Sequence, residues 1–164
     1  MDPKSLLVWT AWVQMYMQSA SSPSRILLAE DNDADALIVE EALRQHAIDF
    51  ELVRAKDGEH AIALVEALER DSEIPVPQLF ILDLHLPKRD GLEIIQRIRA
   101  GLRCREIPKV AMSASEAPRD REAVRMHSAI YFLKPSNLDS YLLLGAVVRE
   151  AVSCQGHKGI VDVV

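Results

Sequence analysis

The chain has 164 residues, 49% hydrophobic and 27% charged, with a formal net charge of −6. That is about one globular domain. It has no basic run, which argues against a nucleic-acid surface and for a partner with a basic face. Cys104 and Cys154 have neither ligand spacing nor a disulfide framework, as expected of reduced thiols in a cytoplasmic protein.

Residues 1–24 read as an extension and linker. Leu6 to Met17 is apolar and holds both tryptophans, Trp9 and Trp12. It is shorter than the roughly 20 residues a bilayer requires. It is a poor signal peptide, because Asp2 offsets Lys4 and Gln14 interrupts the apolar part. Thr10, Gln14 and Gln18 fall four apart, opposite Leu6, Trp9, Val13 and Tyr16. This spacing allows an amphipathic helix, with a passive extension as the alternative. Ser19 to Ser24 then supplies a serine-rich linker around Pro23.

From Arg25 onward, strand and helix patterns alternate. Ile26 to Ala29 is a short apolar run that reads as a buried strand and ends in Glu30-Asp31-Asn32-Asp33. Asp33 is the expected N-cap of a helix carrying Ala36, Leu37, Val39, Ala42 and Leu43. Phe50 to Ala55 reads as the second strand, and Asp57-Gly58 as the turn into a helix with Ala61, Ile62, Leu64, Val65 and Leu68. A polar, proline-bearing loop over 70–77 leads to the third strand, Leu79 to Leu82, which runs directly into Asp83. Gly91 to Ala100 has helical spacing, with Gly101 as its stop. Ile107 to Met112 reads as the fourth strand, 116–126 as a polar helix, and Ala129 to Leu133 as the fifth strand. Ser136 or Asn137 caps a last helix, which bears Leu138, Tyr141, Leu144 and Val148. Residues 154–164 form a tail. This alternation predicts an α/β fold, a five-stranded doubly wound parallel sheet of flavodoxin-like type.

In such a sheet all strands end at one edge, where ligands bind. Glu30, Asp31 and Asp83 would meet there, and three converging carboxylates repel unless a cation or a proton intervenes. Hard oxygen donors with room for water suit Mg²⁺. Ser113 follows the fourth strand with a hydroxyl, and Lys134 follows the fifth with a mobile ammonium. Together these groups make a cradle for a phosphoryl group.

The set resembles the receiver domain of two-component response regulators, over about Arg25 to Val152. The stretches ILLAEDN, LDLHLPKRDG and FLKP, with the 70–77 loop, look most like single-domain regulators paired with bacterial phytochromes. The resemblance implies that Asp83 accepts phosphate from a histidine kinase. It implies that Asp31, Asp83 and the backbone carbonyl of His85 bind Mg²⁺, with Glu30 acting through water. Ser113 would hydrogen-bond the phosphoryl group, Lys134 would pair with it, and Tyr131 would be the switch aromatic. The Lys134–Pro135 peptide would be cis. His85 stands where the family often has Asn or Met, and Ser113 where it more often has Thr. Both changes bear on phosphate lifetime.

With about 30 residues after Lys134, the expectation is a stand-alone regulator that signals through a partner protein or a homodimer. A phosphorelay intermediate or phosphate sink is the alternative. An unphosphorylated scaffold usually lacks one of these residues. An Asp-nucleophile phosphatase needs a second Asp where His85 stands. A dinucleotide site needs glycines after the first strand, where Glu30-Asp31-Asn32 stand. His46, His60, His127 and His157 have no ligand spacing and read as surface or helix-end residues.

Overall fold

The computed structural model describes residues 23–153. The amphipathic reading of Leu6 to Met17, together with Cys154, His157 and the tail, lies outside the described residues. The strands are β1 (Ser24–Ala29), β2 (Phe50–Ala55), β3 (Leu79–Asp83), β4 (Lys109–Ser113) and β5 (Ile130–Leu133). The helices are α1 (Asp33–Gln45), α2 (Gly58–Arg70), α3 (Gly91–Ala100), α4 (Pro118–Met126), α5 (Leu138–Leu142) and α6 (Leu144–Ser153). The sheet is parallel in the order β2-β1-β3-β4-β5. The α/β reading is therefore borne out.

The strand side chains divide by the two-residue period of a pleated strand. Leu27, Phe80, Leu82 and Ala111 face the layer of α2, α3 and α4. Ile26, Leu28, Ile81 and Met112 face the layer of α1, α5 and α6. Every residue of β3 and β4 is buried. That is why those runs are apolar without alternation, since a strand covered on both faces has no polar side.

The helix ends follow local chemistry, with corrections to the expected boundaries. Asn32, not Asp33, caps α1: its side chain accepts from the amides of Ala34 at 2.8 Å and Asp35 at 3.2 Å. Asp33 is drawn away by Arg54 at 2.7 Å and Lys56 at 3.0 Å. Asp57 caps α2 through the His60 amide, and Asp90 and Glu93 form a capping box on α3. Gly101 ends α3, at φ −77° rather than in a left-handed turn. Asn137 caps α5, and the expected last helix is divided at Leu143. His46 and His127 stand at the C-caps of α1 and α4, and His60 is exposed in the first turn of α2. Among the described residues no peptide bond is cis, so Lys134–Pro135 is trans. Trans is the isomer intrinsically favoured by about 0.5–1 kcal/mol, and Lys134 reaches its partners without the alternative turn.

Candidate functional site

The parallel order brings the carboxyl ends of β1, β3, β4 and β5 to one edge. The β1 end supplies Glu30 and Asp31, and β3 supplies Asp83 as its last residue. One carboxylate oxygen from each of these three residues lies within 4.8 Å of the other two. Glu30 is wholly buried, Asp83 is nearly so, and Asp31 is exposed. The expected convergence is present.

Lys134, directly after β5, anchors its backbone amide on the Ser113 carbonyl at 2.8 Å. Its Nζ donates to Glu30 Oε2 at 2.8 Å, Asp35 Oδ2 at 2.8 Å and Asp83 Oδ2 at 2.6 Å. Burial works against its charge, but the hydrogen bonds to Asp35, Asp83 and Glu30 outweigh burial and raise its pKa. Asp35 was not expected in the site from sequence. It stands in the first turn of α1, two residues into the helix that Asn32 caps, close behind the acidic end of β1.

The remaining Asp83 oxygen, Oδ1, accepts the His85 amide at 2.8 Å. Glu30 Oε1 accepts the Asn32 amide at 3.0 Å. Burial pushes the Glu30 carboxyl up to about 6, against the lowering effect of Lys134, and the nearby Asp83 charge adds to the rise. The β3–α3 connection is pressed close to the acidic residue. A Cβ on Gly91 would sit 2.4 Å from the Asp83 carbonyl oxygen, so a side chain there would push α3 off the strand end. The His85 side chain is exposed and lines a cleft of about 460 Å³ with Asp90, Leu92, Arg119 and Asp120.

Ser113 is fully buried at the end of β4, and its hydroxyl accepts the Ser115 amide at 3.0 Å. Tyr131, in the middle of β5, is half-buried. Its hydroxyl donates to the Ser115 carbonyl, and the Arg121 guanidinium lies 5.5 Å over its ring. Ser113, Ser115 and Tyr131 thus connect the strand edge to α4. That helix buries only Val124 and has no side-chain cap.

Arg54, near the end of β2, was also not anticipated. Its Nε donates to the Glu30 carbonyl at 2.9 Å and its Nη1 to Asp33. It braces the segment that carries Glu30 and Asp31 from the neighbouring strand.

A divalent cation fits this donor set. Glu30, Asp31 and Asp83 each turn a carboxylate oxygen to the same place, and the Lys134 ammonium is bonded to Glu30, Asp83 and the adjacent Asp35 but not to Asp31. Buried like charges at this spacing are costly without a counter-ion.

The family model for the response regulator receiver domain matches residues 26–143. The response regulator Rcp1 of Synechocystis sp. is 36% identical over 124 residues, which cover 74% of this chain and 84% of that protein. The phosphorylated cyanobacterial phytochrome response regulator RcpA superposes with a TM-score of 0.71 at 28% identity, over 85% of this chain and 98% of that one. The Mn²⁺-bound form of Rcp1 gives a TM-score of 0.68 at 30% identity, over 87% of this chain and all of the other. Among the described residues no helix is long and apolar enough to cross a membrane. With the family model covering most of the sheet and its acidic edge, the chain belongs to the response regulator receiver family.

Proposed function

We propose that this chain is a signalling receiver in which Asp83 takes a phosphoryl group from the phosphohistidine of a histidine kinase. The observation that carries the reading is the Lys134 ammonium held at 2.6–2.8 Å by three carboxylates, one of them Asp83. In the transfer, an Asp83 carboxylate oxygen forms the new bond to phosphorus as the phosphorus–nitrogen bond of the donor breaks. The donor imidazole leaves with the electron pair. Asp31, Asp83 and the His85 carbonyl would hold Mg²⁺, with Glu30 acting through water. When bound, the ion offsets negative charge on the phosphoryl oxygens.

This chain's own groups do the rest. The His85 amide fixes the Asp83 carboxylate, and Lys134 balances the added charge. Ser113 turns its hydroxyl toward the phosphoryl oxygens, releasing the Ser115 amide. Because the Ser115 carbonyl also holds Tyr131, that movement reaches β5 and α4 and changes the surface offered to an output protein or a second copy of the chain. Slow hydrolysis of the acyl phosphate resets the domain. The likeness to Rcp1 and RcpA favours a phytochrome-type kinase as donor. Residues 25–153 form the receiver unit, with 1–24 as extension and 154–164 as tail.

The test is amide NMR with Mg²⁺ and beryllofluoride, a phosphoryl mimic. Signals over 111–126 and 129–133 should move, and Asp83→Asn should abolish the response. Changes confined to Glu30, Asp31 and Asp83 would make the chain a phosphate sink or relay rather than a switch.

A further inference from the structure

Asp31 is the exposed member of the acidic cluster. Glu30 is aimed by Lys134 and the Asn32 amide, and Asp83 by Lys134 and the His85 amide. Among the described residues the Asp31 carboxylate has no hydrogen bond or ion pair of its own. Its direction therefore comes from the backbone on either side of it.

One side chain grips the chain on both sides. Arg54 stands on β2 opposite Leu28 of β1. Its Nε donates at 2.9 Å to the Glu30 carbonyl, immediately before Asp31. Its Nη1 donates at 2.7 Å to Asp33 Oδ1, two residues after Asp31. The Glu30 amide donates to the Ala55 carbonyl at 3.1 Å, so Glu30 is anchored to β2 through both of its backbone groups. The connection around Asp31 thus runs between two fixed points, joined by one rigid, planar guanidinium. The remaining nitrogen, Nη2, is buried without a partner. An unpaired buried donor costs free energy, and the two bonds that flank Asp31 are what the guanidinium gains in exchange.

Charge alone argues against Arg54 here, because a guanidinium repels a cation bound nearby. Lys56 offers an internal comparison. Its ammonium donates at 3.0 Å to the same Asp33 oxygen. Lys56 shares the sign of charge and the acceptor with Arg54, but it makes no bond to the Glu30 carbonyl. The two residues therefore separate geometry from charge.

We infer that Arg54 is a positioning residue for the divalent cation: by gripping the Glu30 carbonyl and Asp33 it holds Asp31 in its ligating direction, and this outweighs the repulsion of its charge. This rests on the reading of Glu30, Asp31 and Asp83 as a Mg²⁺ site. Mg²⁺ demands near-octahedral geometry at short distances, whereas Ca²⁺ accepts flexible, irregular ligand sets. Loss of the grip should therefore harm Mg²⁺ binding more than Ca²⁺ binding, which a general loss of stability would not do.

The experiment is calorimetric titration of the full chain with magnesium chloride and with calcium chloride, well below the thermal midpoint. Arg54→Met should weaken Mg²⁺ binding roughly tenfold and Ca²⁺ binding less. Lys56→Met, which removes the same charge, should leave Mg²⁺ affinity unchanged or raise it. A wild type that takes up no Mg²⁺ would overturn the metal reading, and this inference with it. A wild type that binds Mg²⁺ while Arg54→Met binds it equally or more tightly would overturn this inference alone. Equal losses of Mg²⁺ and Ca²⁺ affinity in Arg54→Met would do the same, as would a loss in Lys56→Met equal to that in Arg54→Met. One measurement needs no variant: the Arg54 Nε–H signal of the metal-free wild type should be protected from exchange with water. Fast exchange there would overturn the inference even if Arg54→Met folds poorly.

Discussion

The two edges of the sheet both bury charge, and they satisfy it in opposite ways. At the amino edge the partners are backbone. Glu69 on α2 accepts the amides of Leu102 at 2.8 Å, Arg103 at 3.1 Å and Cys104 at 2.8 Å. Those three amides outweigh the effect of burial and hold the carboxyl below its usual range. Arg103 in turn donates to the carbonyls of Asp71, Ser72 and Ile74, tying down the 70–77 loop. Lys109 donates to the carbonyls of Arg105 at 2.9 Å and Ile107 at 2.6 Å. At the carboxyl edge Glu30 and Asp83 each keep one backbone amide, of Asn32 and His85, but their other oxygens and Asp35 answer Lys134 side chain to side chain. Backbone partners are fixed by the fold, so the amino edge is closed. Side-chain partners can be exchanged, so the carboxyl edge can accept a new ligand without unfolding.

Removing one charge from each edge sharpens the contrast. Lys134→Met leaves buried carboxylates facing one another. It should cost about 3–5 kcal/mol in urea unfolding without metal, and millimolar Mg²⁺ should restore part of the loss. Glu69→Ala strands three amides on the closed edge. Its expected cost is about 2–3 kcal/mol, given the strength of hydrogen bonds to a charged acceptor. Mg²⁺ should restore none of it, and equal rescue of both variants would erase the distinction. Asp31→Ala removes an exposed carboxylate, so the fold should keep its thermal midpoint while Mg²⁺ affinity by titration falls roughly tenfold or more.

The pH dependences also differ in sign. Glu30 is raised from 4.5 to about 6, so the folded state takes up a proton where the unfolded chain does not. Its contribution to stability is therefore present below about 4.5 and lost as pH rises through 6. Mg²⁺ binding needs the ionised form and should weaken as pH falls through the same window. Burial lowers Lys109 from 10.5 to about 8, with Arg99 adding to the effect. The unfolded chain then holds the extra proton, and stability should rise with pH above about 8. Burial and Glu69 raise Cys104 from 9.0 to about 12, which favours the unfolded thiolate above pH 9 and opposes that gain. The smallest expected effect is thus a slight rise in the unfolding midpoint confined to about pH 8–9.

The carboxyl edge was more legible in the sequence than the amino edge, for a physical reason. A buried parallel strand is a continuous apolar run, so the polar or charged residue that ends it stands out. Asp83, Ser113 and Lys134 are all marked in this way. Asp35 and Arg54 carry no such mark. They act from a helix face and a neighbouring strand, and their roles depend on distances across 99 residues for Asp35 and Lys134 and 24 for Arg54 and Glu30. The α1 cap was misplaced by one residue because Asn32 and Asp33 are both good caps, and only the tertiary pull of Arg54 and Lys56 separates them. The break at Leu143 leaves no trace in the sequence, since Leu142, Leu143 and Leu144 are all sound helix formers.

The clamp on the β3–α3 connection has a consequence for proteolysis. Lys88 and Arg89 form a dibasic pair with side chains 56% and 58% exposed, an inviting trypsin site by sequence. Cleavage requires a segment that can extend into the protease. Here Lys88 sits at φ 68°, Pro87 is tied by its carbonyl to the Gly58 amide, and a Cβ on Gly58 would lie 1.9 Å from the Arg89 carbonyl oxygen. Scission after residue 88 or 89 must therefore wait for this connection to lift away from α2. The rate of that cut is a clock for local opening beside Asp83, and any ligand that anchors Asp83 and His85 should slow it.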